Sequence, residues 1–255
     1  MDALLDFSNK VALITGAGSG FGRLLAQGLA QRGCTLVISD INAANLEGTA
    51  RSLVEYGTNV HSQICDVAKE QDCKAMVDSA MEKFGRVDIA VNNAGIAHSL
   101  TPLHMIEEAT LDLQVDVNLK GVMFGMKYQI EVMLKQGSGH ILNVSSLAGL
   151  GGAPKGAAYA AVKHAVIGLT KTAAIEYARK GIRANAICPF YTPTNILNLD
   201  GPVTQESLDQ MAVGCPSKRL AEPQEVVNTM ILILSPGNSY MTGQSIAVDG
   251  GVTAW

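Results

Sequence analysis

Apolar and polar positions along the chain alternate between two rhythms. Short, nearly continuous apolar runs suited to strands occur at 11–15 (VALIT), 35–39 (TLVIS), 59–65, 88–92 (DIAVN), 139–145 (GHILNVS), 182–188 and 244–248. Between them, apolar residues recur at helical spacing over 21–32, 43–56, 69–84, 107–136, 157–180 and 223–235. Strands that are apolar on both faces belong in a parallel sheet covered on each side by crossover helices. The pattern predicts a single α/β domain over 1–255, built on a doubly wound parallel sheet. Two segments depart from the rhythm. Residues 189–222 carry four prolines between a strand and a helix, too long for an ordinary connection and expected to form a binding loop or lid. The 157–180 helix is apolar on every face through its first five turns, so one side should cover the sheet and the other meet a partner subunit. A large single-chain core is the alternative.

Composition narrows the class. With 255 residues, 47% of them apolar, a sizeable core is within reach. The net charge of −4 comes from 19 basic and 23 acidic residues without a basic cluster, which argues against nucleic-acid binding. The five cysteines are scattered and form no C-x-x-C pair. No disulfide or metal site is expected, and a reducing compartment fits. The amino terminus carries acids where a signal peptide needs bases, and no run of 18 apolar residues occurs. The expected location is the cytoplasm, with no membrane partner.

The stretch VALITGAGSGFG at 11–22 places four glycines after the first strand and before a helix. It fails the G-x-G-x-x-G spacing: the third glycine would fall on Phe21 or on Arg23. Its position still fits a phosphate cradle, because a first strand-to-helix turn offers backbone N–H groups and a positive helix end. A tight structural turn is the competing account. Strand two ends in Asp40, where a carboxylate can accept from ribose hydroxyls and would repel a 2′-phosphate. That favours NAD over NADP, unless Asp40 is a plain surface acid.

Tyr159 and Lys163 stand four apart and so share a helix face. A nearby ammonium favours the phenolate and should bring Tyr159 into the range of a general acid/base. The strand ending at Ser145–Ser146 would bring Ser146 to the same crevice; a cap or turn role is its alternative.

Together these residues resemble the short-chain dehydrogenase/reductase family. The matching pieces are Thr15–Gly16, Gly20 and Gly22, NNAG at 92–95, Asn118 in VNLKG, Ser146, and YAAVK at 159–163. The resemblance runs from about residue 9 to VDGG at 248–251. It implies one Rossmann-type domain with a seven-stranded parallel sheet, commonly a homotetramer, working on NAD and a small alcohol or ketone. In that family's terms Tyr159 is the acid/base, and Lys163 holds the nicotinamide ribose while lowering the Tyr159 pKa. Ser146 donates to the substrate oxygen, and Asn118 fixes a relay water through a local kink in the long helix. Thr15, Gly16, Ser19, Gly20, Phe21 and Gly22 would hold the pyrophosphate, with Gly18 dispensable. Asp40 and Ile41 would meet the ribose, Asp66 and Val67 the adenine, and Asn92, Ala94 and Gly95 the adenosine side. Pro189, Thr192 and Thr194 would reach the carboxamide, although NNAG also makes a good turn and Thr194 a good cap.

Two residues depart from the family pattern. Phe21 replaces a smaller aliphatic residue, and Phe190 replaces a glycine and is expected to reshape the loop. Substrate contacts are expected from Ser146, Leu147, Tyr159, Phe190 and Tyr191. The flanking segments 96–105, 147–156 and 190–215 are apolar and poor in Arg and Lys, which points to an uncharged, fairly apolar secondary alcohol or ketone. His98 and Lys155 are the nearest polar exceptions. The competing functions are a cofactor-binding scaffold without turnover and a reductase of another carbonyl class.

Overall fold

A computed structural model describes residues 2–199 and 201–254; the chain ends expected to bound the domain, and Asp200 within the 189–222 loop, lie outside the described residues. Seven parallel strands form one sheet in the order β3-β2-β1-β4-β5-β6-β7. They are β1 (Val11–Thr15), β2 (Thr35–Asp40), β3 (Val60–Ile64), β4 (Ile89–Asn92), β5 (Gly139–Val144), β6 (Ile182–Pro189) and β7 (Ser245–Val248). Strand order reverses between β1 and β4. In doubly wound sheets the ligand crevice opens at that point, outside the carboxyl ends of the strands.

Pleating divides the core in two. β1 sends Ala12 and Ile14 to one face, where they pack with Leu25 and Leu29 of α1 (Gly20–Ala30) and Met230 of α8 (Pro223–Leu234). Val11 and Leu13 point to the other, against Met76 of α3 (Glu70–Phe84), Met133 of α5 (Gly121–Gln136) and Val166 of α6 (Ala157–Tyr177). Burial on both faces accounts for the continuous apolar strands. Helix α2 (Ala43–Val54) covers the β2–β3 edge. A buried polar chain ties the second layer together. Asn92 on β4 exchanges hydrogen bonds with Gln129 on α5 and donates to Asn143 on β5, which donates to Thr170 on α6.

The long helix expected at 107–136 is interrupted. It runs as α4 (Glu108–Gln114), a π-helical turn (Val115–Lys120) and α5. The wide turn presents Asn118, fully buried, to the strand end at Ile96. The 189–222 segment is not wholly irregular: it holds a short 3-10 turn (Asn195–Leu197) and helix α7 (Gln205–Val213). All five cysteines are free. Among the described residues no helix is long and apolar enough to cross a membrane, and no cluster of side chains could hold a metal.

Candidate active site

A cleft of about 1090 Å³ opens over the carboxyl ends of β1, β4, β5 and β6. Its floor on one side is the glycine turn. Gly16 and Gly20 adopt φ of +65° and +50°, conformations that side chains with a Cβ rarely tolerate. The amino-terminal residue Ser19 makes no side-chain cap, and the first turn of α1 carries no acid. Its leading N–H groups are therefore free to receive an anion. Gly22 lies beneath, where a Cβ would overlap the Gly16 carbonyl oxygen and come within 2.6 Å of Asn93 Nδ2. Its role is packing the helix onto the turn.

Gly18 corrects the sequence expectation that this position is dispensable. Its N–H donates to Asp40 Oδ2 at 2.8 Å, and a Cβ there would stand 2.7 Å from the same oxygen. Asp40 also accepts from Asn42 N at 2.8 Å, so its carboxylate is fixed in orientation at the cleft wall beside Ile41. Arg23, on the first turn of α1, is engaged by the Gly18 and Asn45 carbonyls and Thr49 Oγ1. Among the described residues no basic side chain forms an ion pair with Asp40.

A second correction concerns the 92–95 turn. Asn92 is buried in the polar chain below the sheet end, while the next residue, Asn93, lines the cleft with Ala94 and Gly95. Strand alternation explains the exchange, since successive side chains point to opposite faces. Thr15 is likewise set back: its Oγ1 accepts from the N–H groups of Asn93 and Ala94, each at 3.0 Å, and so holds the two turns together. Asp66 and Val67 reach the cleft from the end of β3, and Pro189, Thr192 and Thr194 from the end of β6. The turn residue Thr194 leads the short 3-10 helix without a side-chain cap bond.

Ser146 follows β5. Its Oγ accepts from Ala148 N at 3.2 Å in the turn and lies near enough to the Tyr159 phenol to favour its ionised form. Lys163 is buried on the same face of α6, its Nζ donating to Val144 O at 2.9 Å and lying 5.4 Å from the Tyr159 ring centre. Gly95 makes room for this group: a Cβ there would come within 2.7 Å of Asn118 Oδ1. The Asn118 side chain is fully committed, accepting from Ile96 N and donating to Ile96 O and to Gln114 Oε1. It braces the segment that follows β4.

The electrostatics differ from expectation. Desolvation pushes the Tyr159 phenol up to about 12, with nearby Ser146 opposing the rise and Tyr191 and Cys188 adding to it. Burial pushes Lys163 down to about 8. Desolvation of the phenol sets this direction, while Lys163 Nζ, 5.4 Å from the ring centre, donates to Val144 O. The protein's own groups hold the phenol in its protonated form at neutral pH.

Phe190 does not distort the loop. Its N–H donates to Val248 O at 3.1 Å, extending the β6–β7 ladder, and it lacks the positive φ that would have needed glycine. Its ring meets Tyr191 edge-on with centroids 5.0 Å apart. The pair walls the half of the cleft that also holds Leu147, Leu197, Leu199 and Met211. Phe21 also lines the cleft and packs against the α1–α8 core. Gly149 and His98 fall within the expected 147–156 and 96–105 segments, but their individual roles were not legible. A Cβ on Gly149 would crowd Ser145 Oγ at 2.5 Å and Lys163 O at 2.7 Å. His98 sits in the cleft wall against Tyr159.

Residues 16–253 match the family model described as Enoyl-(Acyl carrier protein) reductase. The chain is 39% identical over 251 residues to a cyclohexanol dehydrogenase of Acinetobacter sp. (strain SE19), covering 97% of this chain and 96% of that one. It superposes on a crystal structure of levodione reductase with a TM-score of 0.92 and 35% identity, covering 97% and 99% of the two chains. A 3-ketoacyl-(acyl-carrier-protein) reductase from Brucella melitensis complexed with NADH gives 0.90 at 35% identity, covering 97% and 100%; another neighbour carries NADPH. With matching fold, motifs and near-complete coverage, the chain belongs to the short-chain dehydrogenase/reductase family and is an oxidoreductase that uses a nicotinamide cofactor.

Proposed function

We propose that the protein transfers hydride between NAD(H) and an uncharged, fairly apolar secondary alcohol or its ketone. The observation that carries this reading is the Ser146–Tyr159–Lys163 group facing a cleft half walled by Phe190, Tyr191, Leu147 and Met211. A carboxylate or phosphate substrate would call for a basic anchor, and Lys163, the basic side chain in that wall, is directed at Val144 O. The names of the relatives, which act on cyclohexanol and levodione, favour a ring-bearing substrate. The residues present fit the cofactor: the glycine turn and the open end of α1 suit its pyrophosphate, and Asp40 its ribose. The nicotinamide ring accepts or gives the hydride when bound.

In alcohol oxidation Tyr159 Oη takes the hydroxyl proton while Ser146 Oγ donates to the substrate oxygen and keeps it aligned. Lys163 and the cofactor's positive charge favour the phenolate. In ketone reduction Tyr159 returns the proton. A phenol held high by desolvation stays a proton donor through neutral pH. Reduction is therefore expected to persist near about pH 7, while oxidation, which needs the phenolate, climbs toward roughly pH 10. Initial rates in both directions check this, and a flat oxidation profile would count against Tyr159 as base.

NAD rather than NADP is proposed because Asp40 stands fixed at the ribose end without a basic neighbour. Replacing the carboxylate (Asp40→Ser) is expected to shift the NAD/NADP ratio of kcat/KM toward NADP by about ten- to a hundredfold, as like-charge repulsion is removed. An unchanged ratio would remove Asp40 from the specificity account. The direct test of the function is NADH formation across cyclic and acyclic secondary alcohols set against 3-ketoacyl thioesters. Preference for the thioesters would overturn the substrate class.

We further assign residues 189–222 as the substrate loop and a homotetramer as the working form, in the cytoplasm, where the free thiols would stay reduced. The outward face of α6 carries Ala161, Gly168 and the 82%-exposed Ile175, and α4–α5 expose Leu113 and Met123, apolar surface that an assembly would cover. Light scattering that returned a monomer would dismiss the tetramer.

A further inference from the structure

We infer that His98 is a positioning residue for Tyr159: its neutral imidazole caps the amino end of α6 from outside the helix and locks the 96–105 segment to the turn that carries the phenol. Helix α6 begins after Gly156, which has no side chain with which to cap it. The first bond within the helix runs from Ala160 N to Gly156 O at 2.8 Å. The N–H of Tyr159, the third helical residue, is therefore one of the donors that a helix start leaves without a backbone partner. An N-cap side chain normally accepts from this position. Here His98 Nε2 accepts it, at 3.4 Å, from a segment 61 residues earlier in the chain.

The other ring nitrogen fixes the arrangement. His98 Nδ1 lies 2.8 Å from Ser99 O, and a carbonyl can only accept, so Nδ1 carries the proton and Nε2 presents its lone pair. The positive amino end of a helix favours that lone pair over a second N–H. A backbone bond from Thr101 N to Lys155 O at 2.9 Å joins the same two segments one turn away. Lys155 meets it in a left-handed conformation, φ +62°. With both nitrogens engaged, His98 has no free polar atom with which to grip a substrate. It acts through the backbone of Tyr159, whose phenol must meet Ser146 and the substrate oxygen together, a geometry in which small displacements are costly.

The inference rests on Tyr159 being the acid/base, and the experiment separates the two. The full-length enzyme is compared with His98→Leu, His98→Gln, His98→Asn and Tyr159→Phe, measuring kcat and KM for the best secondary alcohol, NADH affinity by fluorescence, and Tm. Loss of the cap in His98→Leu is expected to lower kcat by about five- to tenfold, with substrate KM and NADH affinity changed less than about twofold. Glutamine can set its Oε1 near the place of Nε2 and should restore most of kcat; the shorter asparagine should not. If the leucine variant does not fold, the glutamine-over-asparagine order decides. An unchanged kcat, a loss confined to KM, or equal activities for glutamine and asparagine would overturn the positioning role. Full activity of Tyr159→Phe would instead overturn the acid/base assignment itself, whatever the His98 variants do.

Discussion

Tyr159→Phe is expected to reduce turnover by about a thousandfold or more while NADH still binds and the fold survives. The change deletes one oxygen, the atom that exchanges the proton. General acid/base groups contribute on the order of 10² to 10⁴ in rate, and Ser146 and Lys163 cannot substitute: Ser146 is a weak acid and Lys163 is directed at Val144 O. The ring stays in place against Lys163, so the cofactor surface is conserved. Steady-state rates with NADH fluorescence titration check the result. A variant within about tenfold of the parent would mean that another group moves the proton. Loss of NADH binding would mean that the phenol serves the cofactor more than the chemistry.

The second large effect is expected at Gly22. A methyl group there would overlap the Gly16 carbonyl oxygen and crowd Asn93 Nδ2. That same amide nitrogen donates to both Thr15 O and Gly16 O, so the disturbance reaches both turns at the head of the cleft. Overpacking against backbone costs roughly 1–3 kcal/mol or more. Gly22→Ala should therefore lower Tm and weaken NAD binding by at least about tenfold. Gly48→Ala is the matched control. Gly48 lies in α2 with nothing within 4 Å of a built Cβ, and removing glycine's chain freedom there should stabilise by about 0.5–1 kcal/mol. If the two variants behaved alike, crowding at Gly22 would not be the reason for the glycine.

Much of this architecture was legible because its cause is local. Strands buried on both faces must read as apolar runs, so β1, β2, β5 and β6 were placed to within a residue or two. Asp40, Ser146, Tyr159 and Lys163 were found because strand ends and helical spacing fix where they point. What escaped depends on contacts distant in sequence. Gly18 reads as surplus until Asp40, 22 residues on, is seen to press against it. Asn92 and Asn93 exchange roles according to which side of β4 faces the cleft. The Tyr159 pKa depended on how deeply the site excludes water, and periodicity carries no information about that. His98 could not be assigned, because its partner is a backbone N–H in a helix whose start has no capping side chain.

The π turn at Val115–Lys120 has a consequence for how this chain can change length. It holds one residue more than a regular helix would, and the wide turn absorbs that residue so that α5 keeps the phase of α4. Deleting a single position from 115 to 120 would let the turn close to the 3.6-residue repeat with α5 still in phase, but would remove the wide turn that brings Asn118 to Ile96. Gly121 would still face Val67, on which a Cβ would intrude at 2.8 Å, and Gly125 would still face Asn92. A single deletion within α5 itself, where no wide turn can absorb it, would instead rotate the residues beyond it by about 100° and carry its buried face away from the sheet.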